Sequence, residues 1–200
     1  MYIQHLYGLF SHPHDEWNSI KKEEYSMTHV YLMHLACLAI IPAVSLYFGS
    51  TQVGWSLTGS EYTTLSTERA LPLSIAFYIA LLVGVGFMAY ITFWMEKTFG
   101  ADASFERCLT FISFTATPMF FVGVIGLFPV IWLNVLVVLA AVCYSLYLLY
   151  VGVPIFMNIP EERGFIFSSS ILTAGLCTLV GFMAATIVIW GSGLIPQLAI

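Results

Sequence analysis

Charged residues are scarce in this chain. Only 8% of its 200 residues are Asp, Glu, Lys or Arg, whereas 60% are hydrophobic. A soluble globular domain carries about 25% charged residues, so the composition excludes that class of protein. No Asp, Glu, Lys, Arg or His occurs between Cys108 and Pro160. Lys and Arg form no large cluster either, which argues against nucleic acid as a partner.

The common catalytic and redox motifs are also missing. The sequence has no nucleophile elbow, no paired-histidine zinc motif and no Gly-rich phosphate loop. Its four cysteines form no C-x-x-C pair and fit small, reduced packing residues; they are Cys37, Cys108, Cys143 and Cys177. We therefore expect a non-enzymatic protein without a cofactor.

Long apolar runs are what the chain does contain. About 20 apolar residues, at 1.5 Å per residue, match a hydrocarbon core of roughly 30 Å, and in lipid such a run must be helical. The sequence predicts an all-α integral membrane bundle of five transmembrane helices. The spans are expected at about residues 29–48, 71–95, 108–127, 130–153 and 170–190. They form one domain, residues 28–192, which precedes an outer tail at 193–200.

The distribution of Lys and Arg predicts the orientation of these spans. With the N-terminus inside, the inner segments hold five of the six cations: Lys21, Lys22, Lys97, Arg107 and Arg163. The outer segments hold Arg69 alone. The positive-inside rule therefore predicts a cytoplasmic N-terminus and an outer C-terminus. Tryptophans are expected at both interfaces, with Trp17 and Trp94 at the inner one and Trp55, Trp132 and Trp190 at the outer one.

Residues 1–27 are predicted to form a cytoplasmic tail with a short interfacial helix. Pro13 suits a first helical position, and Asp15 and Glu16 follow it in the first turn, where the helix dipole favours anions. Trp17 and Ile20 share one face of that helix. This weak amphipathic pattern is typical of a helix that lies on a membrane surface.

The fifth span carries small residues at steps of four, three, four and three. They are Ser170, Ala174, Cys177, Gly181 and Ala184. Such a seam lets another helix backbone come close, so we expect helix packing there or self-association. A pore lining is the alternative interpretation of the same seam.

His34 lies inside the first span, where ionisable groups are expensive and often functional. Together with Cys37, Ser113 and Thr117 it could line a path for a solute or ion, and Pro118 would break the third helix beside it. His29 and His34 are candidate metal ligands. The alternative is a neutral histidine that is hydrogen-bonded to a hydroxyl on a neighbouring helix.

Several motifs together resemble the bacterial Yip family of five-span membrane proteins. They are G-L-F-S-H-P-x-x-x-W-x-x-I at Gly8–Ile20, T-Q-V-G-W at Thr51–Trp55, A-T-P-M-F at Ala116–Phe120, and L-L-Y-V-G-V-P-x-F-x-N-I at Leu148–Ile159, followed by F-S-S-S at Phe167–Ser170. The resemblance implies five spans and a cytoplasmic N-terminus, and it supplies no catalytic site. Family members often show Gly-Tyr where this chain has Ser113-Phe114.

Two functions are consistent with these observations. The first is a membrane-embedded interaction or organising protein that binds a protein partner through its cytoplasmic tail and loops, or associates with itself through the fifth helix. The second is a channel or transporter for a small solute or metal ion, with a site near His34 and the broken third helix. A closed bundle would favour the first, and a cavity that reaches His34 would favour the second.

Overall fold

The computed structural model describes residues 2–23, 30–56, 62–128 and 130–191. These ranges contain eight α-helices: α1 (Tyr2–Ser11), α2 (Pro13–Lys22), α3 (Cys37–Phe48), α4 (Thr67–Glu96), α5 (Phe105–Thr115), α6 (Thr117–Val122), α7 (Ile131–Met157) and α8 (Glu161–Gly191). π-Helical segments flank α3 at Val30–Ala36 and Gly49–Val53, and 3₁₀ turns extend α4 over Lys97–Phe99 and α6 over Gly123–Leu127.

Five helical stretches are long and apolar enough to cross a membrane. They are Met33–Val53, Thr67–Phe99, Phe105–Leu127, Ile131–Met157 and Glu161–Ala185. The prediction of an all-α protein with five transmembrane helices is therefore confirmed. The predicted outer tail at 193–200 and the candidate ligand His29 lie outside the described residues.

The outer surface of the bundle is apolar, as a lipid-facing surface must be. On α4, large side chains that are roughly half or more exposed recur at steps of three and four residues: Ile75, Ile79, Val83, Phe87, Tyr90 and Trp94. A soluble protein rarely exposes so continuous an apolar stripe. A stripe of this kind suits contact with the hydrocarbon chains of a bilayer.

The third span lies at the centre of the bundle. Seven consecutive residues of α5, Cys108–Phe114, are buried, and Phe111 and Phe114 have no exposed surface. The helices of the first, second and fourth spans all pack against this span. Its α-helix is interrupted at Ala116, and Pro118 occupies the first turn of α6, where a missing N–H costs no hydrogen bond.

The closest backbone approach joins the first and third spans. A Cβ atom added to Gly123 would lie 2.4 Å from Cβ and 2.8 Å from Cα of Pro42. One added to Gly49 would lie 1.8 Å from the carbonyl oxygen of Gly126. Small residues at such crossings let helices pack through their backbones. In this part of the bundle the interface therefore depends on glycine.

The seam predicted on the fifth span packs only in part within the chain. Ser170 and Ala174 are half-buried, whereas Cys177, Gly181 and Ala184 are exposed. A Cβ atom on Gly181 would meet nothing within 4 Å. Self-association through this end of α8 stays a prediction.

The N-terminal helices pack against the bundle through the face that was predicted to be amphipathic. Trp17 and Ile20 of α2 have no exposed surface, and Leu9 of α1 is 1% exposed. The backbone carbonyl of Leu9 accepts a 2.7 Å hydrogen bond from the Tyr144 hydroxyl, and Phe10 stacks on the Tyr144 ring at 5.3 Å. Leu9, Trp17 and Ile20 are thus packed against the bundle, whereas Tyr7 and Phe10 stay 75% and 48% exposed.

The same packing changes the interpretation of the tryptophans. Trp17 is fully buried, so it is a core residue and not part of an interfacial belt. Trp94 and Trp132 are 72% and 55% exposed near opposite ends of the bundle, as interfacial anchors are. The side chain of Trp190 lies outside the described part of the structure.

Gly123→Ala should destabilise the bundle, because the new methyl group collides with the backbone of Pro42. Overpacking of this kind costs about 1–3 kcal/mol. Gly181→Ala is the matched control, since its methyl group enters open space. The measurement is the thermal unfolding midpoint of the detergent-solubilised protein. Equal midpoints for the two variants would contradict the close approach of the first and third spans.

Candidate functional site

His34 is a buried histidine with hydrogen-bonding partners on the third span. It is 2% exposed, and its Nε2 lies 3.1 Å from the Thr117 hydroxyl oxygen. That hydroxyl donates a 3.3 Å hydrogen bond to the Ser113 carbonyl oxygen. A hydroxyl has a single proton to donate, so Thr117 accepts from a protonated Nε2. This is the hydroxyl-bonded arrangement that was one of the two sequence-based alternatives.

The structure brings together only part of the predicted solute path. His34, Ser113 and Thr117 meet in the core, and the Ser113 side chain is fully buried. Cys37 is exposed on the outside of the bundle, one turn after His34. Within the described residues, no group of three or more His, Cys, Asp or Glu side chains is arranged to hold a metal ion.

A second histidine, which the sequence analysis did not consider, lies close to the first. The Phe114 ring is 4.2 Å from the His34 ring and 6.4 Å from the His5 ring, measured between centroids. His5 comes from α1, so the N-terminal segment supplies a polar group to the interior. The sequence offers one indication that His5 is buried, which is that apolar residues surround it just before Gly8.

Two carboxylates hold His5 in place. Nδ1 of His5 pairs with Glu16, and Nε2 lies 3.2 Å from Oε1 of Glu23. Gly8 makes this arrangement sterically accessible, because a Cβ atom there would lie 1.8 Å from Oε2 of Glu16. The pairing joins α1 to the end of α2 and compensates for the burial of His5 and the partial burial of the two carboxylates.

Glu96 is a buried carboxylate that directly follows the predicted second span, residues 71–95. It has no exposed surface, and its Oε2 accepts a 2.9 Å hydrogen bond from the Ala103 amide. Its backbone carbonyl accepts a hydrogen bond from the Ala101 amide at 3.1 Å. Glu96 therefore clamps the loop that connects α4 to α5. This loop carries Asp102 and Ser104.

Helix α2 is fixed at the end of the bundle by one aromatic and one cationic side chain. Trp17 lies 4.9 Å from the Phe111 ring and 5.7 Å from the Phe156 ring. It occupies the space that Gly152 leaves, since a Cβ atom there would be 2.6 Å from the indole. Nζ of Lys21 donates hydrogen bonds to the Ile155 carbonyl at 2.9 Å and to Oδ1 of Asn158 at 3.2 Å.

A polar cavity of about 520 Å³ lies between the end of α2 and the start of α5. Its charged lining residues are Lys21, Lys22, Glu23, Asp102, Glu106 and Arg107. Phe156 is also part of the wall, and the Arg107 guanidinium lies over its ring at 5.5 Å. Burial, and to a lesser extent the neighbouring Arg107, lower the pKa of Lys21 from its usual value.

Two further cavities differ in character. One, of about 410 Å³, is an apolar groove between α3 and α4, and the other, of about 570 Å³, lies beside His14, Tyr150 and Phe165. His34 lines none of these three cavities. In the described structure, the charged chemistry is therefore concentrated at the end of the bundle that holds α2.

Known proteins resemble this chain over nearly its whole length. A model of the Yip1 domain matches residues 7–182. The chain is 38% identical over 191 residues to a protein called inner membrane protein YohC from Escherichia coli strain K12. That alignment covers 96% of this chain and 98% of the relative, and the protein of the same name from Escherichia coli O6:H1 (strain CFT073) matches equally well. No solved structure matches the fold significantly.

These matches agree with the five membrane-spanning helices and with the motifs of the tail and the third and fourth spans. The chain belongs to the Yip1 family and is a multi-pass protein of the inner membrane.

Proposed function

We infer that this protein is a non-enzymatic, membrane-embedded interaction protein that binds a protein partner at the end of the bundle formed by α2. The observation that carries this proposal is the anchoring of α2. Its apolar face is buried through Trp17 and Ile20, and Lys21 ties its last turn to α7. The opposite face is thereby presented in one fixed orientation.

The exposed face of α2 is polar and mixed in charge. Asp15, Ser19 and Lys22 are exposed and recur at steps of four and three residues, which places them on one side of the helix. A fixed helix loses little conformational entropy when a partner binds it. Polar residues on a rigid element are thus well suited to specific recognition.

The packing of His34 supports an interaction protein over a solute path. Its ring contacts Phe114, its Nε2 is bonded to Thr117, and it is 2% exposed. Cys37, the other residue proposed for the first-span wall of a path, faces outward. The His34 cluster therefore serves interhelical packing in this proposal.

The proposed docking end is the cytoplasmic one. Successive spans alternate in direction, so α2, the loop at Gly100–Ser104 and the turn at Asn158 lie at the same end. This end carries Lys21, Lys22, Lys97, Arg107 and Arg163, and Arg69 lies at the other. The positive-inside rule assigns the cation-rich end to the cytoplasm.

Cysteine labelling tests this orientation. Glu162→Cys and Thr64→Cys place exposed thiols at opposite ends of the bundle. In intact spheroplasts, a membrane-impermeant maleimide should label the Thr64 variant and leave the Glu162 variant unlabelled until the membrane is permeabilised. The reverse pattern would mean that the docking end faces outward. The variants are made in a background that lacks the native cysteines.

In-cell photocrosslinking tests the docking surface. A photoreactive residue at Asp15 or Ser19 should give a discrete protein adduct, because both side chains project from the fixed polar face of α2. Lys22→Glu, which reverses a charge on that face, should reduce the adduct at position 19 severalfold. The readout is the adduct band in intact cells.

The matched control places the same photoreactive residue at Thr64, an exposed position at the opposite end. An identical adduct from Thr64, or an adduct at position 19 that Lys22→Glu leaves unchanged, would refute recognition by the α2 face.

Ion flux tests the solute-path alternative separately. Proteoliposomes that contain the wild-type protein should take up small solutes and metal ions no faster than protein-free liposomes, because His34 is closed into the core. His34→Ala should give the same result. Uptake that is present in the wild type and disappears in His34→Ala would overturn the interaction proposal in favour of a path through the bundle.

A further inference from the structure

We propose that the polar cavity between α2 and α5 binds the headgroup of a zwitterionic phospholipid that carries both a phosphate and a primary amine. This inference goes beyond partner docking and does not depend on it. It rests on three observations: the composition of the cavity wall, the absence of ion pairs between the Lys or Arg side chains and the carboxylates of the described residues, and the position of the cavity at the ends of the third and fourth spans.

The wall of the cavity balances its charges. Lys21, Lys22 and Arg107 are basic, and Glu23, Asp102 and Glu106 are acidic. A purely anionic ligand would meet the carboxylates, and a purely cationic ligand would meet the Lys and Arg side chains. A ligand with both charges satisfies both halves of the wall.

The basic and acidic side chains of the cavity wall do not form ion pairs with one another. Among the described residues, the carboxylates at ion-pair distance from a basic group are bound to His5 or His14, and none is bound to a Lys or Arg. Glu23 is engaged with His5, which leaves Asp102 and Glu106 as carboxylates for an ammonium group. Arg107 lies over the Phe156 ring, so its guanidinium edge is available to a phosphate.

The position of the cavity fits a lipid more closely than a solute. Glu106, Arg107 and Thr110 belong to the first two turns of the third span, and Phe156 belongs to the last turn of the fourth. The ends of transmembrane helices lie at the level of the headgroups. Phe156 adds an apolar wall that suits the glycerol backbone. The volume of about 520 Å³ is within the usual range for small-ligand sites.

Different residues of the cavity wall recognise the phosphate and the amine of the headgroup. The phosphate accepts hydrogen bonds from Arg107 and from the lysines of α2, whereas the ammonium donates to Asp102 and Glu106. A quaternary ammonium has no N–H to donate, so the site should distinguish a primary amine from a choline group. An anionic headgroup without an amine leaves the two carboxylates unsatisfied.

The test titrates the detergent-solubilised full-length chain with phospholipids and counts bound lipid by native mass spectrometry. Phosphatidylethanolamine should bind more tightly than phosphatidylcholine or phosphatidylglycerol of the same chain length. Arg107→Gln and Asp102→Asn should each weaken phosphatidylethanolamine binding by about tenfold or more, since each removes a charged hydrogen-bonding partner. Lys97→Gln and Glu162→Gln are the matched controls, because these exposed charges lie outside the cavity wall.

Specific outcomes would overturn the proposal. Equal affinity for the three lipids, or equal losses in the control variants, would mean that only non-specific boundary lipid is bound. Equally tight binding of soluble glycerophosphoethanolamine would assign the site to a solute instead of a lipid. Asp102 is exposed on a loop, so its variant should keep the wild-type unfolding midpoint and remain informative even if Arg107→Gln folds poorly.

Discussion

The contact between Trp17 and the fourth span is the interaction on which the proposed sites depend. Gly152 leaves a slot in α7, and the indole of Trp17 fills it between Phe111 and Phe156. Without that anchor, α2 would have no fixed place at the end of the bundle. Its polar face would not be presented in one orientation, and the cavity that it covers together with α5 would lose one wall.

A bilayer explains why the fold itself was predictable. Runs of about 20 apolar residues have no alternative to helix in hydrocarbon, so five runs predict five helices. The break near Pro118 follows from the missing N–H of proline in the same way. These features depend on local sequence and on the solvent, and not on which helices touch each other.

The arrangement of the helices was much harder to predict from the sequence. Small residues on the fifth span predict close packing, yet the closest backbone contacts between helices join Gly49 to Gly126 and Gly123 to Pro42, in the first and third spans. A pattern of small residues shows that a helix can be approached but not which helix approaches it. The burial of Glu96 and the pairing of His5 with Glu16 and Glu23 likewise depend on contacts between distant segments.

The N-terminal hairpin also constrains the order of assembly. Helices α1 and α2 precede every span in the chain, but the surface that receives them is made of Phe111, Tyr144, Gly152 and Phe156 from the third and fourth spans. That surface exists only after the third and fourth spans have inserted and packed. Although α1 and α2 are synthesised before the spans, they therefore reach their native place only after the third and fourth spans have packed, and until then the apolar side chains of Trp17 and Ile20 need cover from lipid or from another protein.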